Sequence, residues 1–418
     1  MTNKKPEINN NINREIKNWI RNVMRFYYQR SIGNIITKRN PKLWVFSSWE
    51  GTKYADNARY LFEYINTHND KGIRCVWITK NEDALKTVHS LGYEGYLIGT
   101  KESKEIQKQA GAALRTHGID DFGDFPYIFG AFNVHVCHGV GGNKKVYYSL
   151  DKGSFLKRFL SVAKAKIFNY AYRDATIVTS AFCASTVKPD MLSNKPTPII
   201  GLARNDFIKN AITNLSEVFS DDFIDRHNLS LNNKYITYMP TYRPYKKSQA
   251  QLESIISDIV SDRNLQFLLE ENKAKLIVKL HYATDASKMH FSDSVLLLKD
   301  KDVFDTAKLL RLSNLLITDY SSCAMDFSLK QKDVIFYAPD LEDYEKETGM
   351  YREFSDYLFK YRVSTVQELT DRIQYAIKTD FAATEGTHAL NLLFNERFSD
   401  VGNFRKLTYE YVCDQLKV

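Results

Sequence analysis

The sequence predicts an α/β protein made of two parallel-sheet halves that face each other across a cleft. Three observations carry this. Short apolar strands alternate with helical segments from residue 44 onward, the pattern of βαβ units and a parallel sheet. The alternation runs twice, in blocks of similar length that meet near residues 201–210. Polar residues able to do chemistry cluster where the strands end, and ligands of such sheets sit beyond the carboxyl ends of the strands. The expected division is an N-terminal basic amphipathic helix over 1–40, a first Rossmann-like domain over 41–205, and a second over 206–418 that carries the C-terminal helices.

Bulk properties agree with this reading. A chain of 418 residues implies two or three domains, at roughly 150 residues per domain. Hydrophobic residues at 44% and charged residues at 26% fit a folded globular chain and leave no room for extensive disorder. The formal charge of +8 favours an anionic partner, whether a phosphate-rich substrate, a membrane surface or nucleic acid. No RRM, KH, zinc-finger or basic-zipper pattern is present, which sets nucleic acid aside. The five cysteines (Cys75, Cys137, Cys183, Cys323, Cys413) form neither a CxxC pair nor metal-ligand spacing. Buried free thiols in a reducing compartment are expected. Met1–Asn13 is polar, without a signal-peptide apolar core, and no run reaches the roughly 18 apolar residues that cross a bilayer. A cytoplasmic location follows, with peripheral attachment to the inner face of the cell membrane left open.

Taken in order, Ile12, Ile16, Trp19, Ile20, Val23 and Tyr27 recur at helical spacing, with Arg14, Lys17, Arg21, Arg25 and Arg30 between them. Interfacial helices have this pattern. A helix packed on its own domain has it equally well. Trp44–Ser48 reads as a strand, followed by a loop and a helix through Asn57, Tyr60, Leu61 and Ile65. Strand signal returns at Arg74–Ile78, at Ala112–Arg115 and at Asn133–Cys137, which runs into His138-Gly139-Val140-Gly141-Gly142. In the second block Lys234–Tyr238 leads to Met239-Pro240-Thr241, and Lys275–Leu280 leads to His281. Leu315–Thr318 leads to Asp319, and Val334–Tyr337 leads to Ala338-Pro339.

The strand ends supply the candidate site. His138 precedes a glycine-rich turn that permits close approach of a ligand, and imidazole exchanges protons near neutral pH. Taken alone, a loop histidine bonded to backbone is the plainer reading. Lys144 and Lys145 follow and suit an anionic acceptor. Arg243, after Thr241, offers a planar fork that matches phosphate oxygens, against the plainer reading of a surface salt bridge. His281 holds the same position one strand later, where it could donate a hydrogen bond to a phosphate or cap a turn. Thr318-Asp319-Tyr320-Ser321-Ser322 ends a strand and opens a helix near Ala324–Leu329, where free N–H groups and two hydroxyls form an anion site or an ordinary N-cap.

In sequence order these segments resemble the CDP-glycerol glycerophosphotransferase family, the enzymes that prime and polymerise teichoic acids and related capsules. Asp56–Tyr64 looks like its Asn-Pro-Lys/Arg-Tyr-Leu segment, and His138-Gly139 with the later lysines is similar to its Trp-His-Gly-Thr-Pro-Leu-Lys motif. Gly201–Asp206 is similar to Gly-x-Pro-Arg-Asn-Asp, Pro240–Arg243 to Pro-Thr-aromatic-Arg, and Lys279–His281 to Lys-x-His-Pro. Thr318–Ser322 with Asp326-Phe327 looks like Thr-Asp-Tyr-Ser-Ser…Phe-Asp, and Asp340, Leu341, Tyr344 and Gly349 fit the stretch after it. The departures are Cys137 for Trp, Val140-Gly141-Gly142 for Thr-Pro, Tyr282 for Pro, Ala203 for Pro, and no Pro-Gly pair near Lys360–Val363. They fall more on the acceptor side, so a capsule sugar stands beside a teichoic chain as acceptor.

The resemblance implies a GT-B-like fold and transfer of glycerol phosphate from CDP-glycerol to a polymer hydroxyl with release of CMP. It implies His138 as general base, with Arg243 and His281 also at the catalytic centre. Thr241, Arg243, His281, Asp319, Ser321 and Ser322 would face the CDP pyrophosphate, and Gly139, Lys144 and Lys145 the acceptor. The acceptor would be an anionic polymer or a lipid-linked chain, with an anionic membrane surface close by. No Asp-rich metal motif accompanies these residues, so no cofactor is expected, with Mg2+ left open. CDP-ribitol is the alternative donor. A nucleotide-sugar glycosyltransferase of the same architecture and a non-enzymatic polymer-binding protein are the remaining alternatives.

Overall fold

The structure is a computed structural model. It describes residues 38–124, 126–145, 172–191, 193–241, 243, 246–280, 292–298, 303 and 305–418, together with Ile20, Val23, Met24, Tyr27 and Ser31. His281, Tyr242, Tyr282 and residues 1–19 lie outside these.

Six parallel strands build the first sheet: β1 (Asn40–Ser47), β2 (Arg74–Thr79), β3 (Gly95–Leu97), β4 (Ala110–Arg115), β5 (Phe132–His135) and β6 (Ala175–Thr176). Their order is β3-β2-β1-β4-β5-β6. Five parallel strands build the second: β7 (Lys234–Met239), β8 (Ala274–Lys279), β9 (Val295–Leu298), β10 (Leu315–Thr318) and β11 (Val334–Phe336), in the order β11-β10-β7-β8-β9. Both orders reverse beside their first strand, between β1 and β4 and between β7 and β10. Such reversals open a crevice at the carboxyl ends.

The strand centres are mostly apolar because both faces are covered. In β1, Trp44 and Phe46 enter one core cluster while Leu43 and Val45 enter another, the two-residue alternation of a strand. In β10, Leu315 and Ile317 face one side and Leu316 the other. At roughly 1.5–3 kcal/mol for each fully buried large apolar side chain, these double-faced strands anchor each half.

Most expected strands are present, with informative differences. β1 begins at Asn40 because Gly111 lets the Asn40–Pro41 backbone cross β4, where an added Cβ would lie 2.5 Å from the Asn40 carbonyl oxygen. β5 stops at His135, since Cys137 turns to φ +57° and leaves the ladder. The expected division at 205/206 is crossed by the chain's last helix, Phe404–Leu416. Its Tyr409, Val412 and Cys413 join the core of the first half, with Tyr409 against Trp44 at 5.8 Å between ring centroids. Phe404 lies over Gly201, which adopts φ +112° and has no room for a Cβ beneath the ring.

Of the N-terminal helix, Ile20, Val23, Met24, Tyr27 and Ser31 are helical. Val23 packs against the cluster that contains Val45 and Phe129, while Ile20, Met24 and Tyr27 are exposed. All five cysteines are buried and free. Among the described residues no helix is long and apolar enough to cross a membrane.

Candidate functional site

The first wall of the cleft is built from the carboxyl ends of β1, β4 and β5. Asp121 organises it: its carboxylate accepts from the backbone N–H of Glu50 (2.6 Å), Thr116 (2.9 Å) and His117 (3.0 Å), tying the β1 and β4 loops together. His117 stacks on His138 at 4.2 Å, and Trp49 covers His117 at 4.7 Å. Trp49, Glu50, Asp56 and Cys137 all have positive φ without being glycine. Each such residue costs on the order of 1 kcal/mol, and strain of this kind collects at functional sites.

His138 is exposed at its surface yet surrounded by protein on most sides, as a side chain on a cleft floor is. That enclosure lowers its pKa from the ordinary value, with Arg204 adding to the effect and Asp56 opposing it. Its Nδ1 lies 3.4 Å from the Thr116 carbonyl, and among the described residues Nε2 has no hydrogen-bond partner. His117, enclosed and stacked on His138, is pushed down to about 3.

The second wall comes from the ends of β7, β10 and β11. Arg243 is 1% exposed, which decides its role. Its guanidinium donates to Asp319 (2.9 Å), to both oxygens of Asp340 (2.9 and 3.2 Å) and to the Thr241 carbonyl (2.8 Å). It lies 4.9 and 4.7 Å from the rings of Tyr320 and Tyr344, which stack on each other at 3.8 Å. Where phosphate was expected at its fork, the planar partners it has among the described residues are the carboxylates of Asp319 and Asp340. Asp319 likewise faces inward, accepting from the Thr241 N–H at 2.8 Å as well as from Arg243. Thr241 Oγ1 is buried and has no hydrogen-bond partner among the described residues. Ser321 and Ser322 are half-buried just before the short helix Cys323–Ser328, and Ser322 makes no side-chain cap. His281 lies outside the described residues.

The two walls touch. A Cβ on Gly139 would lie 2.7 Å from Ser322 Oγ, so the glycine brings the turn after His138 directly against the serine pair. The rest of that loop docks on the second half: Asn143 Nδ2 donates to the Tyr320 carbonyl (3.0 Å), Lys145 N–H to the Gly349 carbonyl (3.2 Å), and Tyr351 N–H to the Asn143 carbonyl (3.3 Å). Lys144 pairs with Met350 across this contact. Enclosure lowers the pKa of its ammonium, against a raising effect of Asp319 and with a further lowering by Arg243. Lys144, expected on the acceptor side, thus reaches the Arg243–Asp319 neighbourhood, and no ion pair of its own is formed among the described residues.

The sequence reading missed Trp49, His117, Asn57, Arg204, Asp326 and Asp340 as site residues. Thr116-His117 had a usable signal, since it too follows a strand end. Among the described residues no group of three or more His, Cys, Asp or Glu is arranged to hold a metal ion.

A family model described as CDP-Glycerol:Poly(glycerophosphate) glycerophosphotransferase matches residues 31–410. A teichoic acid poly(glycerol phosphate) polymerase of Bacillus spizizenii is 24% identical over 335 residues, covering 76% of this chain and 79% of that protein. A teichoic acid glycerol-phosphate transferase of Staphylococcus aureus is 23% identical over 365 residues, covering 81% and 85%. A solved structure of the wall teichoic acid polymerase TagF superposes with a TM-score of 0.68 at 18% identity, covering 96% of this chain and 98% of that one. That likeness carries the fold, which is GT-B-like.

Proposed function

The chain belongs to the CDP-glycerol:poly(glycerophosphate) glycerophosphotransferase family, and from that premise we propose how its cleft carries out the transfer. The activity is movement of glycerol phosphate from CDP-glycerol to a hydroxyl of a teichoic-acid-type polymer, with release of CMP. The acceptor oxygen bonds to the phosphorus that bears glycerol, and the bond from that phosphorus to the bridging pyrophosphate oxygen breaks. CMP departs with the electron pair. Chemistry of this type depends on positioning and on neutralising oxygen charge.

His138 is the base in this proposal. With Nδ1–H directed to the Thr116 carbonyl, Nε2 takes the acceptor proton as the new bond forms. Its lowered pKa keeps it neutral and ready at pH 7. Ser321, Ser322 and Lys144 receive the pyrophosphate, with the Thr241 hydroxyl available beside them and His281 retained as a donor-side partner. Arg243 and Asp319 act through the loops they hold. Gly139 and Lys145 border the acceptor path. The observation that carries the reading is the approach of Gly139 to Ser322, which puts the base of one half beside the hydroxyls of the other.

On the acceptor side, an anionic polymer or lipid-linked chain suits the net charge of +8. The exposed Ile20, Met24 and Tyr27 support peripheral contact with an anionic membrane surface. The test is to incubate the protein with an acceptor polymer and, separately, CDP-glycerol, CDP-ribitol or a UDP-sugar, and to follow CMP or UDP release. CMP from CDP-glycerol with phosphate in the new linkage is expected. Turnover of CDP-ribitol alone reassigns the donor, and turnover of the UDP-sugar alone overturns the reading.

A further inference from the structure

Three consecutive residues at the junction of the halves are each bonded to partners far away in the chain. Arg204 Nη1 donates to Asp56 Oδ1 and to the His138 carbonyl, and Nη2 to Asp326 Oδ2, all at 2.5 Å. Asn205 Nδ2 donates to the other Asp326 oxygen at 2.6 Å. Asp206 accepts from the backbone N–H of Phe404 (2.7 Å) and Arg405 (2.9 Å) at the start of the last helix. Asp56 and Cys137, which flank the Arg204 contacts in the first half, both have positive φ. Asn57 braces them, donating to the Cys137 carbonyl at 2.8 Å and accepting the Arg204 N–H at 3.0 Å.

We propose that Arg204 is a positioning residue for the transfer: by bonding the His138 carbonyl and Asp326 at once, it fixes the His138–Gly139 turn over Ser321–Ser322. The inference rests on the reading of His138 as base and the serines as phosphate contacts. Asp326 belongs to the helix that the serines lead into, so the two ends of the guanidinium report on the two sides of the reaction. A planar fork with charge-assisted bonds on both edges fixes orientation as well as distance. Buried ion clusters contribute little net stability, because desolvation offsets their attraction, so geometry is the better account of this one. Tyr60 to Asp305 and Tyr351 to Asp190 also bridge the halves, and neither is a bond to His138. The contacts of Asn143 and Lys145 hold the far end of the loop on the second half, while Arg204 ties the His138 end to Asp326.

Arg204 also acts on the imidazole electrostatically. The charged and titratable groups around His138 are Asp56, Arg204, Lys144 and the stacked His117, with Arg115 and His135 behind them. Removing the Arg204 charge raises the His138 pKa.

The test uses a readout independent of the chemistry. A Cβ at position 139 lies 3.6 Å from the Ser322 Cβ, within disulfide range. The double variant Gly139→Cys/Ser322→Cys of the full chain should therefore cross-link readily under mild oxidation. Adding Arg204→Gln should slow cross-linking by about 10- to 100-fold, the size of a lost charge-assisted bond, with Arg204→Lys between. In the otherwise native sequence, Arg204→Gln should lower kcat with little change in donor KM and move the acid limb of the kcat/KM profile to higher pH. If Arg204→Gln does not fold, Asp326→Asn decides by the same cross-linking rate, since it keeps the Arg204–Asp56 pair. Cross-linking as fast as in the parent overturns the proposal, whatever His138 does. Slowed cross-linking beside full turnover in His138→Gln leaves the Arg204 tie standing and overturns the base.

Discussion

The imidazoles of His117 and His138 lie face to face, with ring centroids 4.2 Å apart and planes 13° from parallel. A proton on either ring places a charge against its neighbour, in a site that already disfavours charge. Enclosure holds both rings toward the neutral form, and His138 is the more exposed of the two. For His138, enclosure by the protein is the largest cause of the lowered pKa.

Replacing His138 tests this arrangement most directly. His138→Gln keeps a hydrogen-bonding side chain but cannot take the acceptor proton, so turnover should fall by about 10²–10⁴. CDP-glycerol binding, measured by calorimetry, should change little. Near-normal turnover at saturating substrates, or a defect confined to donor binding, removes His138 from the role and turns attention to His281.

The pH dependence follows from the same groups. As the proposed base His138 must be deprotonated, and its pKa lies below the ordinary imidazole value of about 6.5. Activity should hold as pH falls to that value and be lost below it, read as the acid limb of kcat/KM. Stability moves in the same direction. His117, at about 3, and His135, well below its ordinary value, stay neutral in the folded chain while the unfolded chain takes up protons from 6.5 downward. Thermal melts should fall steadily between pH 6.5 and 4, and less so in His117→Gln.

Arg243→Ala leaves Asp319 and Asp340 buried without their cation. Breaking a buried pair in this way costs about 3–5 kcal/mol, which for a half of this size lowers Tm by on the order of 10 °C. Arg243→Lys should recover only part, because an ammonium cannot span two carboxylates and the Thr241 carbonyl. A variant Arg243→Ala that melts like the parent and loses donor affinity alone would mean that the fork meets phosphate after all.

Lys144→Ala should weaken CDP-glycerol binding and leave the pH profile's acid limb near its place, since Lys144 has only a small effect on His138. Loss of one charge-assisted phosphate contact is worth about 1.5–3 kcal/mol, or 10- to 100-fold in affinity. A raised KM for the polymer with unchanged donor binding would return Lys144 to the acceptor side.

The fold was legible where strands are buried on both faces, because continuous apolar runs such as Trp44–Phe46 and Leu315–Ile317 have no other use. β3, β6 and β9 escaped notice, with two to four residues each and no alternation to display. His138, Gly139, Ser321 and Ser322 were legible as strand-end residues, and the structure brings them together. Arg243 was legible as a strand-end residue but its carboxylate partners were not, since a carboxylate and a phosphate can both accept from the fork of a guanidinium. The bonds of Arg204 to Asp56 and Asp326 left no trace at all. Their partners lie 148 and 122 residues away in the chain, and no periodicity links residues that meet only across two halves.

The return of the last helix to the first sheet also sets an order of events during synthesis. Trp44 leaves the ribosome hundreds of residues before Tyr409 and Val412, which complete its cluster. At about 5–20 residues per second, that surface waits on the order of tens of seconds for its cover. During the wait the first sheet presents bare apolar side chains to whatever is nearby, while the second half acquires most of its own core. Asp206, by accepting the first N–H groups of the arriving helix, sits where that wait ends. Chains interrupted before residue 404 should therefore carry a defect in the half that was made first.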